Sequence, residues 1–240
     1  MIVNLISGPR NISTALMYSF AQRKDTQVVD EPFYAHYLEN TGTDHPGREQ
    51  VLQAQSTDAE QVIEQLKEAA GETTVLFIKN MAHHVDGIPT TFLKDMRNVF
   101  LIRNPREMLL SFIKTIPNPT LRDTAYQQQY RLFRYVTHTL KQSPVVIDSA
   151  ELLKNPPVVL RRACEMLGIP FDDTMLSWEE GAIPEDGVWA EQWYENVHHS
   201  MGFNPYTPKK GTVPEQLESL LENCQNYYIR LYKHAIKASG

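Results

Sequence analysis

Arg10, Ser13 and Thr14 fall within Ser7-Gly8-Pro9-Arg10-Asn11-Ile12-Ser13-Thr14-Ala15-Leu16, where a β-branched apolar run gives way to a helix-forming one. A strand-to-helix junction of this kind gathers unpaired backbone N–H groups at the positive end of the helix, and anions bind there. Arg10 adds a permanent charge with forked donors, and the two hydroxyls supply further ones. Together these groups suit a phosphate, although Gly8-Pro9 as a turn and Ser13 as a helix cap would also open an ordinary helix. The run lacks the glycine and lysine of a GxxxxGK[ST] loop, holding Ser13 and Thr14 at those places, which weakens an ATP-kinase reading. A second junction is Phe100-Leu101-Ile102-Arg103-Asn104-Pro105-Arg106-Glu107-Met108-Leu109-Leu110-Ser111. Asn104 suits a cap and Pro105 a first helical position, so Arg103 ends a strand while Ser111 lies in the second helical turn, within reach of a shared anion. A solvent-facing arginine is the plainer reading of that junction alone.

Pro9-Arg10-Asn11-Ile12-Ser13-Thr14 resembles the 5′-phosphosulfate loop of sulfotransferases, Pro-[Lys/Arg]-Ser-Gly-[Ser/Thr]-Thr, at four of its six positions. Asn11 replaces the serine and Ile12 the glycine, and isoleucine resists the positive φ that glycine accepts. The second junction is similar to the family's 3′-phosphate motif, Arg-[Asp/Asn]-Pro-x-[Asp/Glu]-x-x-x-Ser, with Arg103 and Ser111 at the same eight-residue separation. Lys209-Lys210-Gly211 resembles the Arg-Lys-Gly segment that also meets the 3′-phosphate in cytosolic members, and reads equally well as a solvated basic turn.

The resemblance implies transfer of a sulfuryl group from 3′-phosphoadenosine-5′-phosphosulfate (PAPS) to a hydroxyl or amine of a small-molecule acceptor, leaving PAP, without a metal. Charge gathering on oxygens in a loose transition state is best met by fixed cations and N–H groups, so Arg10 is the candidate for stabilising the leaving phosphate. Lys79 stands where the family has the lysine of Lys-Thr-His, but Met81 occupies the histidine's place in Lys79-Asn80-Met81-Ala82-His83-His84. The base is then sought in Glu31, because Asp30-Glu31-Pro32 resembles the Glu-Pro segment of tyrosyl-protein and carbohydrate sulfotransferases, with His83 and His84 as alternatives. Glu31 paired to Arg10 or another arginine is the structural alternative. Two rivals remain: a P-loop nucleotide kinase or hydrolase, and a non-catalytic nucleotide-binding module, which Ile12 and Met81 favour.

These groups need a frame. Residues 2–7, 73–79, 98–102 and 144–148, with a weaker run at 27–30, read as buried strands. Residues 13–23, 59–70, 105–115 and 123–142 have helical spacing. The alternation predicts an α/β fold, a P-loop-type three-layer sandwich on a central parallel sheet of about five strands, with ligands at the strands' carboxyl ends. A helical C-terminal region follows, with helices at 156–167 and 214–237 separated by an irregular stretch, 169–211, suited to covering that edge. Trp178, Trp189, Trp193, Tyr194, Phe203, His198 and His199 crowd this stretch, its aromatics suited to lining an acceptor pocket or stacking on adenine, and equally to stapling loops to the core. Residues 41–56, with Gly42, Pro46 and Gly47, suit a mobile loop.

No repeat or low-complexity tract divides the 240 residues, so a single domain over 1–240 is expected. A net charge of -6 argues against nucleic acid and anionic membranes as partners. Two cysteines, Cys164 and Cys224, provide neither a disulfide framework nor a CxxC metal motif. The start has no basic segment before its short apolar run, and no later apolar run is long enough to span a bilayer, so a cytoplasmic location is the expectation.

Overall fold

The computed structural model describes residues 1–239. Five parallel strands form its centre: β1 (Ile2–Ser7), β2 (Thr26–Asp30), β3 (Val75–Met81), β4 (Met96–Ile102) and β5 (Val145–Asp148), in the order β2-β3-β1-β4-β5. The register sets Asp30 of β2 beside Lys79 of β3, and Ser7 of β1 beside Met81 and Leu101. All six residues of β1 and all seven of β3 are buried, as central strands of a parallel sheet covered on both faces require.

Helix α1 (Ser13–Ala21) follows β1, and α2 (Tyr34–Thr41), α3 (Arg48–Ala54) and α4 (Ala59–Glu72) connect β2 to β3. Beyond β4 come α5 (Pro105–Phe112), α6 (Leu121–Thr124) and α7 (Tyr126–Arg134). Beyond β5 come α8 (Ser149–Lys154), α9 (Pro156–Leu167), two single turns α10 (Ala190–Trp193) and α11 (Glu195–His198), and the C-terminal α12 (Glu218–Tyr232). One sheet face sends Val3, Leu5, Phe77 and Leu101 against α1 and α9. The other sends Ile2, Ile6, Ile78 and Phe100 against α4, α5, α7 and α12. This second face is not wholly apolar. Asn80 donates to Asn4 at 2.7 Å and Asn4 to Asn98 at 3.1 Å, a buried amide chain across three strands.

Four differences from the sequence reading have physical causes. The helix expected at 123–142 is broken at Ala125, whose φ of 62° ends α6 before α7 begins, and it closes in a π turn over Tyr135–Thr139. The helix expected at 214–237 starts later, because Pro214 opens a 3₁₀ turn over Glu215–Leu217 and α12 ends at Tyr232. Much of the stretch expected to be a mobile loop at 41–56 is helical, with left-handed Gly42 closing α2 and left-handed Gly47 opening α3. The helices expected at 13–23 and 105–115 each end two or three residues early, at Ala21 and Phe112. Both cysteines are free and buried, and among the described residues no helix is long and apolar enough to cross a membrane.

Candidate active site

A cavity of about 560 Å³ opens at the carboxyl end of the sheet. Its floor is the loop from Pro9 to Ala15, and its walls include Glu31, Lys79, His83, His84, Arg103, Ser111 and Lys209. Arg10 and Arg103, 93 positions apart, meet here because β1, β2, β3 and β4 all end on the same side.

The loop is held from below. Asn11 donates to the Leu101 carbonyl at 3.1 Å, and Ser149 donates to the Asn11 carbonyl at 2.8 Å. Gln129 donates to the carbonyls of Ile6 and Leu101, bracing the ends of β1 and β4. A side chain at Gly8 would come within 3.1 Å of the Thr124 carbonyl, so the loop's start lies close against α6. Ile12, at the family's glycine position, takes the left-handed conformation itself, with φ 63° and ψ 24°. Arg10 and Glu31 also have positive φ, of 58° and 39°. Three non-glycine residues in sparsely populated backbone states thus border one cavity.

Ile12 is also the cap residue of α1 and gives no side-chain hydrogen bond to the helix, whereas α4, α5 and α8 are capped by Asp58, Asn104 and Asp148. The first N–H groups of α1 have no partner within the helix and no capping side chain, the arrangement that receives an anion. Ser13 is therefore not the cap but the first helical residue.

Three cations surround this end. Arg103 donates to the Arg10 carbonyl at 2.6 Å, and Arg10 Nε donates to Ser111 Oγ at 3.2 Å, so the two motifs touch directly. Burial, and after it the neighbouring Arg103, push the Arg10 pKa down. Lys209 is likewise lowered, by burial and then by Arg103, Lys114 and Arg10. Glu107 approaches Arg103 at 3.6 Å and accepts from the Tyr206 hydroxyl at 2.7 Å. Lys210 and Gly211, expected at this site, do not line the cavity. Arg106, unremarked in the sequence reading, donates to the carbonyls of Lys209 and Gly211, fixing the turn so that only Lys209 faces inward.

The other end is carboxylate-rich. Lys79, 1% exposed, donates to Asp30 at 2.7 Å, to Glu31 at 2.5 Å and to the Tyr194 hydroxyl at 2.5 Å. Tyr194 in turn donates to Asp30 at 2.7 Å and accepts from Trp189 at 2.9 Å. Burial works against the Lys79 charge, but Asp30 and Glu31 outweigh it and hold its pKa above the ordinary value. The pairing foreseen for Glu31 with an arginine is made with Lys79 instead. With one lysine between two carboxylates, burial leads in raising the Glu31 pKa, Asp30 adds to it, and Lys79 only partly opposes. His84 Nδ1 stands 3.5 Å from Glu31, a contact of a neutral imidazole, since burial holds His84 far below its usual value. Burial likewise pushes His83 down to about 3.

The late aromatic residues divide. Trp189, Trp193, Tyr194 and Phe203 line the cavity, whereas Trp178 is buried in the core and donates to Ser200. His198 pairs with Asp186, and His199 lies exposed beside Glu180. Tyr34, Tyr37, His45 and Asp123 are cavity residues missed from sequence. The spacing of Tyr34 and Tyr37 just after Asp30-Glu31-Pro32 was the available signal, being one face of a short helix.

A five-stranded parallel sheet of this order, with the loop and helix after β1 at its carboxyl end, defines a P-loop-like α/β protein, and the chain's solved structural neighbours share that fold. The sulfotransferase domain from the olefin synthase of Synechococcus PCC 7002 aligns with a TM-score of 0.59 at 16% identity, covering 93% of this chain and 94% of that one. The sulfotransferase of Alicyclobacillus acidocaldarius aligns at 0.54 and 14% identity, over 100% of this chain and 98% of that one. The family profile described as a sulfotransferase domain matches residues 1–235, and the chain belongs to that family. Two curated Arabidopsis thaliana proteins, branched-chain-amino-acid aminotransferase-like proteins 1 and 2, are 38% and 36% identical over 100% and 97% of this chain. The chain spans only 43% and 42% of their length.

Proposed function

We propose that this protein transfers the sulfuryl group of PAPS to a hydroxyl or amine of a small molecule. The reading rests on one observation: the uncapped start of α1, Arg10, Arg103, Ser111 and Lys209 border the same cavity that Glu31 enters from its other end. The residues fit a bisphosphorylated adenosine. The loop amides with Ser13, Thr14 and Arg10 would hold the 5′ end, and Arg103, Ser111 and Lys209 the 3′-phosphate.

The donor supplies a sulfur centre whose bridging bond to phosphate breaks, with its electron pair, as the acceptor oxygen or nitrogen bonds to sulfur. Arg10 and the helix amides carry the charge that collects on the departing phosphate, and losing one such donor costs about 3–4 kcal/mol of transition-state binding. Glu31 takes the acceptor's proton on the oxygen not held by Lys79, and its raised pKa makes it a stronger base than an ordinary carboxylate. Lys79 positions Glu31. His83 and His84, neutral and weakly basic, serve as hydrogen-bonding walls.

Calorimetric titration with PAP tests the assignment. Arg103→Ala should weaken PAP binding by tenfold or more, the roughly 1.5–3 kcal/mol of a hydrogen bond to a charged group. Unchanged affinity removes the 3′-phosphate site. A screen of acceptors with labelled PAPS then separates a transferase from a protein that binds PAP without reacting.

A further inference from the structure

The three ammonium protons of Lys79 have three acceptors: Asp30 Oδ1, Glu31 Oε1 and the Tyr194 hydroxyl. The hydroxyl is just as fully used. An ammonium and an indole only donate, so Tyr194 accepts from Lys79 and from Trp189, and its one proton goes to Asp30 Oδ2. Burial, with Asp30 and Glu31 close by, holds the Tyr194 pKa well above the phenolic range, so that proton stays in place. Asp30 Oδ2 also accepts from the Gly187 amide at 3.1 Å. The segment carrying Gly187, Trp189 and Tyr194 is closed at its base, where Trp178 N donates to the Met201 carbonyl at 3.3 Å and Gly181 N to the His198 carbonyl at 2.8 Å. Tyr194 is therefore placed from outside the sheet, by a loop with its own fastening.

One oxygen is left over. Glu31 Oε2 accepts no hydrogen bond among the described residues, and His84 Nδ1 stands 3.5 Å away without bonding to it. Glu31 lines the cavity, whereas Asp30, held by Lys79, Tyr194 and Gly187, does not.

We infer that Tyr194 is a positioning residue for the transfer: by occupying the third N–H of Lys79 it leaves Glu31 Oε2 unclaimed, as the oxygen that takes the acceptor's proton. The inference rests on the transferase reading for the reaction, while the hold on Glu31 stands on the hydrogen bonds. Without the hydroxyl, Lys79 keeps a buried N–H with no partner, an unfavourable state that draws it towards a vacant acceptor. The same two carboxylates offer two. Turning to Glu31 Oε2 covers the base and lowers its proton affinity, whereas turning to the vacated Asp30 Oδ2 releases Glu31 Oε1 and raises it. Either move slows turnover.

The test compares wild type with Tyr194→Phe, which removes only the hydroxyl, in protein saturated with PAP. The isotopically labelled Glu31 carboxyl carbon is titrated by NMR, and kcat and KM are measured with labelled PAPS for any acceptor that turns over. The groups facing Glu31 are Asp30 on β2, Lys79 on β3, His84 beyond it, Tyr34 on α2 and Tyr194, and the substitution changes only the last. The Glu31 midpoint should move by about one pH unit or more. Turnover should fall about tenfold or more, with acceptor KM and PAP affinity within about twofold of wild type. In a Glu31→Gln background the same substitution should leave kcat nearly unchanged, since its effect passes through the carboxylate. An unmoved Glu31 midpoint, or an equal loss of kcat in that background, overturns the inference. Should Tyr194→Phe not fold, the labelled Lys79 ammonium of the wild type decides: with all three N–H groups bonded, its protons should exchange far more slowly than those of exposed Lys67, and equal exchange overturns the inference. A displaced midpoint in a protein that sulfates no acceptor supports the hold on Glu31 and counts against the transferase reading.

Discussion

Lys79 is shared by two buried carboxylates, which makes Glu31 and Lys79 unequal targets for substitution. Glu31→Gln leaves Lys79 paired with Asp30, so the fold should persist while turnover falls by about 10²–10⁴, the usual worth of a positioned base. Because burial and Asp30 raise the Glu31 pKa above 4.5, wild-type kcat/KM should climb with pH through an acid limb lying above that value. The variant should lose this limb, which a pH–rate profile reads directly. Lys79→Met instead strands Asp30 and Glu31 beside each other, and urea unfolding should show a loss of about 3–5 kcal/mol. That Arg10, Arg103 and Ser111 border one cavity was legible in sequence, because local motifs carry their own spacing. The Lys79 network was not, since it depends on the β2–β3 register and on Tyr194, more than a hundred residues away.

The strands were readable because β-branched apolar runs have few other uses in a chain this polar. The breaks were less so. Alanine favours a helix, so nothing at Ala125 announces a left-handed residue, and the periodicity of α2 and α3 runs for only eight and seven residues around the turn signals Gly42, Pro46 and Gly47. Helix α12 shows how a late element secures an early one. Its Tyr228 donates to buried Asp148 at 3.1 Å, while the other Asp148 oxygen caps α8. After α12, Ile236 bonds the Val146 carbonyl, covering the β5 edge. Burial raises the Asp148 pKa despite those hydrogen bonds, which pull the other way. Tyr228→Phe should therefore cost about 1–3 kcal/mol in urea unfolding near neutral pH, as expected when a buried acceptor loses its donor. That cost should shrink as the pH falls and Asp148 takes up its proton.

At the scale of the molecule, both sheet faces are covered and the cavity lies where five parallel strands end together. A ligand that spans the loop and Arg103 binds only the folded chain. PAP at a hundred times its dissociation constant should add about 2.7 kcal/mol of stability. For a chain of this length that raises Tm by about 5–10 °C, and magnesium should leave the shift unchanged. ATP with magnesium stabilising the protein more than PAP would favour the kinase rival instead. The segments Pro9–Thr14 and Arg103–Ser111 are also physically joined, Arg103 to the carbonyl of Arg10 and Arg10 to Ser111. Neither segment can then drift through evolution by itself: a change that reshapes one removes a foothold of the other, and the pair should be inherited or abandoned as a unit.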